Sequence, residues 1–175
     1  TSATVTRGTD AKQEASGEEA IVEGILVGQD VDNVAKEAIM YGAERIYQVD
    51  DPHFENYLNR PYTEVLNHLI EKLKPEVFLI GATTLGRDLA GAVATSVEMG
   101  PFRNVEKKLL LATRPAFGGN VIATIVCKDH TPQMATVRPR VFETPARDSK
   151  AKGEVIIEEF KVTPEMMAAE LVEFI

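Results

Sequence analysis

Short apolar runs alternate with amphipathic stretches over the first hundred residues. Ile21–Val27, Arg45–Val49 and Val77–Ile80 are dominated by apolar side chains, and runs of this length are typical of strands buried on both faces of a sheet. The stretch between the second and third runs, Tyr62–Leu73, has apolar residues at helical spacing, and so do the stretches that follow the first and third runs. Strands that alternate with helices predict a parallel sheet with right-handed crossovers.

Each of the three predicted helices has one apolar face. Gly42 is expected to end the first helix and Lys74 with Pro75 the second, while Asp30 or Asp32 is expected to cap the first. The residues predicted to face the core are Val31, Val34, Ala35, Ala38 and Ile39 in the first helix, Val65, Leu66, Leu69, Ile70 and Leu73 in the second, and Leu89, Ala90, Val93, Ala94 and Val97 in the third.

The pattern changes after Gly100, where apolar segments follow one another without a convincing helix between them. They predict antiparallel or mixed strands, with a hairpin connection at Ala116–Asn120. The predicted strands are 108–112, 120–127, 133–138 and 154–162.

The pattern as a whole predicts an α/β fold: a Rossmann-like parallel sheet flanked by helices, with an added antiparallel portion. Residues 21–162 are expected to form this domain. Residues 1–20, which are rich in small and polar side chains, are expected to be poorly ordered or loosely attached, with a short helix through Ala11–Ala15 as the alternative. Residues 163–175 are expected to form a helix that begins at Thr163 and Pro164.

Charge and cysteine content narrow the class of protein. A formal net charge of -8 argues against a nucleic-acid partner, which usually requires a basic surface. No apolar run approaches the length of a transmembrane segment. Cys127 is the only cysteine, so an internal disulfide is impossible, and this fits a reducing, cytoplasmic location.

The stretch Gly81–Asp88 is the most informative loop. It follows a predicted buried strand, contains Gly and Thr residues, and opens a helix, so its amides could hold an anion. The alternative is an ordinary turn between a strand and a helix, and the sequence leaves the two equally open. A dinucleotide-binding G-x-G-x-x-G is not found after any predicted strand.

Two arginines stand at predicted strand ends, each directly before a proline. A guanidinium at the rim of a sheet can bind a carboxylate, a phosphate or the negative charge of a reduced flavin. The alternative is a structural ion pair with one of the 27 acidic residues. For Arg138 the pattern favours the functional interpretation, whereas for Arg114 both interpretations stay open. Arg87 and Asp88 could simply pair with neighbours on the surface.

Residues for nucleophilic or metal-dependent catalysis do not form a recognisable pattern. His53, His68 and His130 are far apart and lack the spacing of metal ligands. Cys127 ends an apolar strand and is expected to belong to the core rather than to act as a nucleophile. The sequence therefore predicts neither a catalytic residue nor a metal site.

Three motifs resemble the N-terminal domain of the electron transfer flavoprotein α subunit. They are Gly81-Ala-Thr-Thr-Leu-Gly-Arg-Asp-Leu-Ala90, Thr113-Arg-Pro-Ala-Phe-Gly-Gly-Asn120 and Gln133-Met-Ala-Thr-Val-Arg-Pro139. Tyr47-Gln-Val-Asp-Asp-Pro52 is similar to the same family, and the resemblance covers about Ile21–Lys161. The last two motifs look most like the branch found in anaerobes, which includes electron-bifurcating members.

The resemblance implies an electron carrier rather than a stand-alone enzyme. It implies a heterodimer with an electron transfer flavoprotein β subunit, electron exchange with an acyl-CoA or other dehydrogenase, and FAD as cofactor. The FAD of the α subunit would be held mainly by a C-terminal domain that these 175 residues do not contain. In bifurcating relatives a second FAD is held by the β subunit.

The resemblance also implies which residues approach a flavin. Arg138 and Thr136, on the third motif, and Arg87 and Arg114, on the first two, are the candidate cofactor-binding residues. Relatives commonly have Gly where this chain has Arg140, a position where a turn with positive φ would suit Arg poorly. Two other interpretations stay open: an adenine-nucleotide-binding α/β module that uses Gly81–Asp88, and a ligand-free structural interface domain.

Overall fold

A computed structural model describes residues 2–7, 21–97, 100–101, 109–116, 121–127 and 130–167, with the backbone alone for 2–7, 100–101 and 114–116. The strands are β1 (Ser2–Arg7), β2 (Ile21–Gly28), β3 (Arg45–Asp50), β4 (Val77–Gly81), β5 (Gly100–Pro101), β6 (Leu111–Ala116), β7 (Val121–Val126), β8 (His130–Thr131), β9 (Gln133–Val137) and β10 (Glu154–Ile157). The α-helices are α1 (Asp32–Met40), α2 (Asn59–Leu73) and α3 (Thr84–Ser96), and a short 3-10 helix spans Pro52–Phe54.

Six of the described strands form the main sheet, in the order β10-β3-β2-β1-β4-β9. β3 is parallel to β2 and β10, β4 is parallel to β9, and β1 is antiparallel to both β2 and β4. Five strands therefore run in one direction. Two small antiparallel pairs, β5–β8 and β6–β7, lie outside this sheet. The predicted fold class, a parallel sheet flanked by helices with an added antiparallel portion, is confirmed.

The first strand differs from the expectation that residues 1–20 are loosely attached. Ser2–Arg7 pairs with β2 on one side and β4 on the other, so this prediction is wrong for these six residues. Thr4, Val5 and Thr6 are β-branched, which suits a strand, but the segment lacks the large apolar side chains that reveal one in a sequence. Residues 8–20, including the alternative helix at Ala11–Ala15, lie outside the described residues.

The helices divide between the two faces of the sheet. One face packs against α2 and α3 and forms the larger core around Phe78, Ile80 and Leu66. The other face packs against α1, with Leu26 and Ile46 among its buried residues. Burial of such side chains supplies most of the stabilisation, at about 1.5–3 kcal/mol for each large apolar residue.

The predicted apolar faces are largely confirmed. All five residues of α2 are buried, as are Leu89, Val93 and Val97 of α3 and Ala35 and Ile39 of α1. Val34 and Ala94 are exposed instead. α1 contributes Ala35 and Ile39 to its buried cluster, and Val34 is not among the residues that pack against that cluster.

The segment before α2 contributes to the core although its sequence looks polar. Phe54 is buried, and its carbonyl accepts a hydrogen bond of 2.9 Å from the hydroxyl of Tyr62. The two rings meet edge to face with centroids 5.2 Å apart. α2 consequently begins at Asn59, three residues before the predicted start.

Two of the later strands join the main sheet at its opposite edges. β9 pairs with β4 and β10 pairs with β3, both in parallel. The chain between them crosses from one edge to the other without a described helix, and backbone hydrogen bonds from Asp148 to Met40 and from Glu154 to Glu44 fasten it. This connection lacks the helical periodicity by which parallel strands are usually recognised, which is why the sequence left both antiparallel and mixed pairing open.

β6 and β7 form a hairpin that shares no backbone ladder with the main sheet within the described part of the chain. Leu111, Val121, Ile122 and Ile125 are exposed on it, with Ile122 at 71%. Cys127, directly after β7, is also exposed, so its predicted place in the core is wrong. The apolar strand before Cys127 suggested burial, but no described layer covers the hairpin. At the chain's end, Pro164–Met166 form a turn, and the rest of the predicted helix, 168–175, lies outside the described residues.

Among the described glycines, Gly86 leaves the least room for a side chain. A Cβ placed there would lie 2.0 Å from the carbonyl oxygen of Gly81, which is a backbone atom. Gly91, in the interior of the same helix, has nothing within 4 Å of the corresponding position. Gly86 thus allows α3 to begin directly against the end of β4.

We expect Gly86→Ala to lower the free energy of unfolding by roughly 1–3 kcal/mol, because the added methyl group must push α3 away from β4. The matched control Gly91→Ala should raise it by about 0.5–1 kcal/mol through helix propensity alone. Urea denaturation of both variants measures the difference. Equal effects of the two substitutions would contradict the role given to Gly86.

Candidate functional site

The first part of the candidate site is the edge where β4 and β9 end. Gly81 is paired with Val137, and the amide of Ala82 continues the ladder by donating to the carbonyl of Val137 at 2.7 Å. The loop after β4 therefore lies beside the residues that follow β9. Ligands of open α/β sheets bind at the carboxyl ends of the strands, so this edge is the first place to look for a function.

The loop between β4 and α3 is closed by its own hydrogen bonds. The hydroxyl of Thr83 caps α3 by accepting from the amide of Gly86 at 3.0 Å, and the carbonyl of Thr83 accepts from the amide of Arg87 at 3.0 Å. The amide of Thr83 donates to the carbonyl of Gly81 at 2.8 Å. Four of the six amides in 82–87 thus donate within the protein, and Thr84 and Leu85 hold the other two. This arrangement is a tight turn with a small anion-binding capacity.

Arg87 and Arg138 come to the same edge. The Nε of Arg87 donates to the carbonyl of Ala82 at 3.2 Å, and Ala82 is bonded in turn to Val137, the residue before Arg138. Both arginine side chains are exposed. This bond uses Nε, and the two terminal nitrogens of the guanidinium carry the remaining donors of Arg87. The edge therefore presents two guanidinium groups on neighbouring chain segments.

The other two candidate residues occupy different positions. Thr136 is exposed on β9 and paired with Ile80, one residue before the ends of the two strands. Arg114 belongs to β6. Leu110, the residue directly before β6, hydrogen-bonds to Gln133 at the amino end of β9, so β6 starts at the opposite end of β9 from Arg138. The side chain of Arg114 lies outside the described residues. The structure thus brings together Arg87, Arg138 and Thr136.

Arg140 supports the expected turn after β9. Its φ of 66° lies in the left-handed region, the conformation that Gly adopts most easily. The amide of Val141 donates to the carbonyl of Arg138 at 3.4 Å across this turn. The turn is therefore kept in this chain although Arg occupies the position, and it places a second exposed arginine next to Arg138.

Asp88 is held by two donors from the chain before α2. The hydroxyl of Tyr57 and the Nδ2 of Asn59 donate to its Oδ2 at 2.7 and 2.6 Å. These two hydrogen bonds, from Asn59 first, lower the pKa of Asp88 below its usual value. Burial and the nearby carboxylate raise the pKa of Tyr57, which therefore stays a protonated donor at neutral pH. Asp88 therefore pairs with neighbours at the surface, as the alternative in the sequence analysis allowed, and both partners are uncharged.

The N-terminus of α1 is already occupied by a carboxylate of the protein itself. Asp50, at the end of β3, accepts from the amides of Asp30 and Val31 at 2.9 and 3.0 Å. The predicted cap from Asp30 or Asp32 is wrong, because Val31 is the cap residue and makes no side-chain cap. Asp32 instead accepts from the buried Gln48 at 2.7 Å. An outside anion would have to displace Asp50 from this helix end.

The three histidines have different surroundings. His53 contacts Asp51, with 2.6 Å between its Nδ1 and a carboxylate oxygen, and its backbone amide lowers the pKa of that carboxyl. His68 lies beside Phe160, with ring centroids 5.8 Å apart, and His130 is exposed on β8. Within the described part of the chain, no group of three or more His, Cys, Asp or Glu side chains could hold a metal ion.

Several polar residues that support the sheet and its loops were not predicted from the sequence. Tyr57 and Asn59 lie in a stretch without periodicity, so their contact with Asp88 has no local signal. Gln133 is nearly fully buried at the start of β9. Glu23 is fully buried on β2, where a terminal nitrogen of Arg45 and the hydroxyl of Tyr47 both donate to its Oε1 at 3.1 Å. A polar residue inside an apolar run was the only available indication of either.

Comparison with known proteins agrees with this geometry. The model of the electron transfer flavoprotein domain matches residues 1–163, which contain all three motifs and the edge formed by β4 and β9. The chain belongs to the electron transfer flavoprotein family.

Relatives in this family include α subunits and FixB proteins. The chain is 42% identical over 161 residues to the electron transfer flavoprotein subunit alpha of Megasphaera elsdenii, covering 88% of this chain and 48% of that protein. It is 42% identical over 160 residues to the protein FixB of Rhizobium meliloti, covering 88% and 45%. It is 35% identical over 160 residues to the lactate dehydrogenase (NAD(+),ferredoxin) subunit LctC of Acetobacterium woodii, covering 88% and 38%.

The chain thus spans about half, or less, of the length of these relatives. Electron transfer flavoproteins are flavin proteins, and the shared part is the one that carries the three motifs. Among the helices that the structure describes, none combines the length and apolarity needed to cross a membrane.

We expect the carboxylate of Asp88 to make stability depend on pH. A lowered folded pKa stabilises the protein above the unfolded pKa of about 3.9, and this contribution is lost as the pH falls through the folded value. Asp88→Asn should therefore cost about 0.5–1 kcal/mol above about pH 5, and the difference from the native chain should shrink towards pH 3.

Thermal denaturation between pH 3 and 7 measures this effect. Tyr57→Phe, which removes one donor and keeps the carboxylate, should show a smaller difference with the same dependence on pH. A gap between the native chain and Asp88→Asn that stays constant down to pH 3 would contradict the assignment.

Proposed function

We propose that this chain is the N-terminal domain of an electron transfer flavoprotein α subunit that pairs with a β subunit and passes electrons between flavins. The observation that carries the proposal is the edge of β4 and β9, where Arg87 and Arg138 lie exposed on neighbouring segments. FAD is the proposed cofactor, held mainly outside these residues. A cytoplasmic location is proposed from the single cysteine.

Arg138 is proposed to approach a flavin ring presented from outside this domain. Its guanidinium is exposed at a strand end, so a cofactor held by another domain or subunit can reach it without opening the core. When bound, a flavin supplies the redox chemistry, and a nearby cation favours its reduced, anionic form. Thr136 precedes Arg138 on the same strand, and Arg87 adds a second cation at the same edge. We propose Arg114 as a further contact at the flavin or at the subunit interface.

The hairpin of β6 and β7 is the proposed contact for the β subunit. Residues 109–127 contain a single charged residue, Arg114, although the whole chain has 46 Asp, Glu, Lys and Arg residues (27 acidic and 19 basic). Leu111, Ile122 and Ile125 are more than half exposed on it. An isolated two-stranded hairpin is marginally stable in water, and an exposed apolar surface of this kind typically marks a protein interface.

Electron bifurcation is the finer proposal for the same assembly. One relative is named as a subunit of a lactate dehydrogenase, with NAD(+) and ferredoxin both in its name, and this name supports the proposal. We propose a dehydrogenase partner here too, whether for acyl-CoA or another substrate.

The adenine-nucleotide-binding alternative has weak support. Four of the six amides of residues 82–87 are used internally, and Asp50 fills the N-terminus of α1. A phosphate would therefore have few free donors at either helix. The ligand-free interface domain is the stronger rival, since exposed arginines can also bind a partner's carboxylates.

The proposal is tested by the mass and flavin content of the intact protein purified with whatever accompanies it. A heavier α chain, a second subunit and FAD would support the electron-transfer function, and two FAD for each dimer would support bifurcation. An intact protein without flavin and without a partner would contradict it.

Within that assembly, we expect Arg138→Ala to lower the reduction potential of the nearby flavin by roughly 20–60 mV, because about 1 kcal/mol of charge stabilisation corresponds to tens of millivolts in a one-electron couple. Spectroelectrochemical titration measures this shift. Arg147→Ala, on the exposed segment between β9 and β10, is the matched control and should leave the potential unchanged. An unchanged potential in Arg138→Ala together with weaker subunit binding would favour the interface domain.

A further inference from the structure

Gln133 is a buried polar residue whose side chain serves neither β4 nor β9. Only 2% of the residue is exposed. Its backbone amide donates to the carbonyl of Glu76 at 2.8 Å, and its Cα is paired with Val77, so the main chain belongs to the ladder of the main sheet. The sheet therefore holds the backbone of Gln133, while the carboxamide of its side chain contacts another part of the chain.

That amide group bridges the two stems of the hairpin. The amide of Leu110, the residue before β6, donates to Oε1 of Gln133, and Nε2 of Gln133 donates to the carbonyl of Cys127, the residue after β7, at 2.9 Å. One side chain thus satisfies a donor on the entering strand and an acceptor on the leaving strand. A carboxamide can do this because it carries an acceptor and a donor on the same rigid plane.

Among the described residues, the hairpin has few other ties to the domain. β6 and β7 pair with each other along six residues each, and neither is paired with another described strand. The apolar side chains of β7 are exposed on both faces, since neighbouring residues Val121 and Ile122 are both exposed. No described layer therefore holds the hairpin by hydrophobic packing, and the direction in which it leaves the sheet depends on its stems.

We infer that Gln133 is a positioning residue that fixes the orientation of the hairpin and thereby sets how well the hairpin docks on the β subunit. The docking part of this inference rests on the function proposed above. The part that concerns the orientation of the hairpin does not rest on the proposed function, because it involves contacts within this chain alone. A buried side chain with two hydrogen bonds to separated backbone groups couples the hairpin to the rigid sheet.

The test uses the intact protein with its co-purifying subunit and compares two buried glutamines. Gln133→Met keeps the approximate size of the side chain and removes both hydrogen bonds. Gln48→Met is the matched control: Gln48 is equally buried, at 1% exposure, but its Nε2 donates to Asp32 on α1 at 2.7 Å, on β3 rather than at the hairpin stems.

Hydrogen exchange of the backbone amides measures directly whether Gln133 holds the hairpin in place. In Gln133→Met we expect amides of 110–116 and 121–127 to exchange roughly tenfold to a hundredfold faster, the effect of losing two buried hydrogen bonds, while β2, β3 and β4 keep their protection. In Gln48→Met the hairpin should exchange as in the native chain. Unchanged hairpin exchange in Gln133→Met would overturn the inference.

The affinity of this chain for the β subunit measures how well the hairpin docks. The dissociation constant for the β subunit should rise roughly tenfold in Gln133→Met and less than twofold in Gln48→Met. Equal losses in the two variants, or a faster-exchanging hairpin with unchanged affinity, would overturn the docking role. If the native protein binds no second subunit, the proposed function fails, and the exchange experiment still decides whether Gln133 fixes the hairpin.

Gln133→Glu provides a second variant if Gln133→Met does not fold. Above the pH at which the buried carboxyl ionises, Gln133→Glu keeps the acceptor for the amide of Leu110 and has no donor for the carbonyl of Cys127, so exchange is measured in that pH range. We expect faster exchange at 121–127 than at 110–116, because only the leaving stem is released. Equal acceleration of both strands would contradict the bridging geometry.

Discussion

The contact between Gly86 and the carbonyl of Gly81 is the constraint on which the candidate site depends. With no side chain at Gly86, α3 starts against the last residue of β4, and the hydroxyl of Thr83 can reach the amide of Gly86. The same first turn carries Arg87 and Asp88. A small displacement of the helix would therefore change where the arginine stands relative to the end of β9.

The loop after β4 illustrates how a phosphate-like pattern can have a structural purpose. Its glycine and threonine residues make a tight turn in which four of the six amides of residues 82–87 donate to carbonyl and hydroxyl groups of the protein. The groups that remain available to bind an anion at this surface are the guanidinium groups of the exposed arginines. This favours an anion that approaches from outside the domain over one enclosed by the loop.

β9, which is five residues long, connects the proposed subunit contact with the proposed flavin contact. At its amino end Gln133 holds the stems of the hairpin, and just beyond its carboxyl end stands Arg138. The proposed subunit contact and the proposed flavin contact are thus attached to opposite ends of one edge strand. Because the strand is paired to β4 over its whole length, a change in subunit contact could be felt at the arginine only through a rigid part of the sheet.

The sequence by itself determined the parallel core, the three helices and most of their buried faces, because alternating apolar runs and helical spacing report directly on burial. It also pointed to Arg138, through a motif at a strand end. Only the tertiary structure decided that Ser2–Arg7 is a strand, since pairing on both sides can hold a segment with little apolar content. Likewise, the exposure of Cys127 and the bridging role of Gln133 depend on which layers lie above the hairpin and on contacts between residues far apart in the chain. Periodicity records the burial of a single element and contains no information about such distant partners.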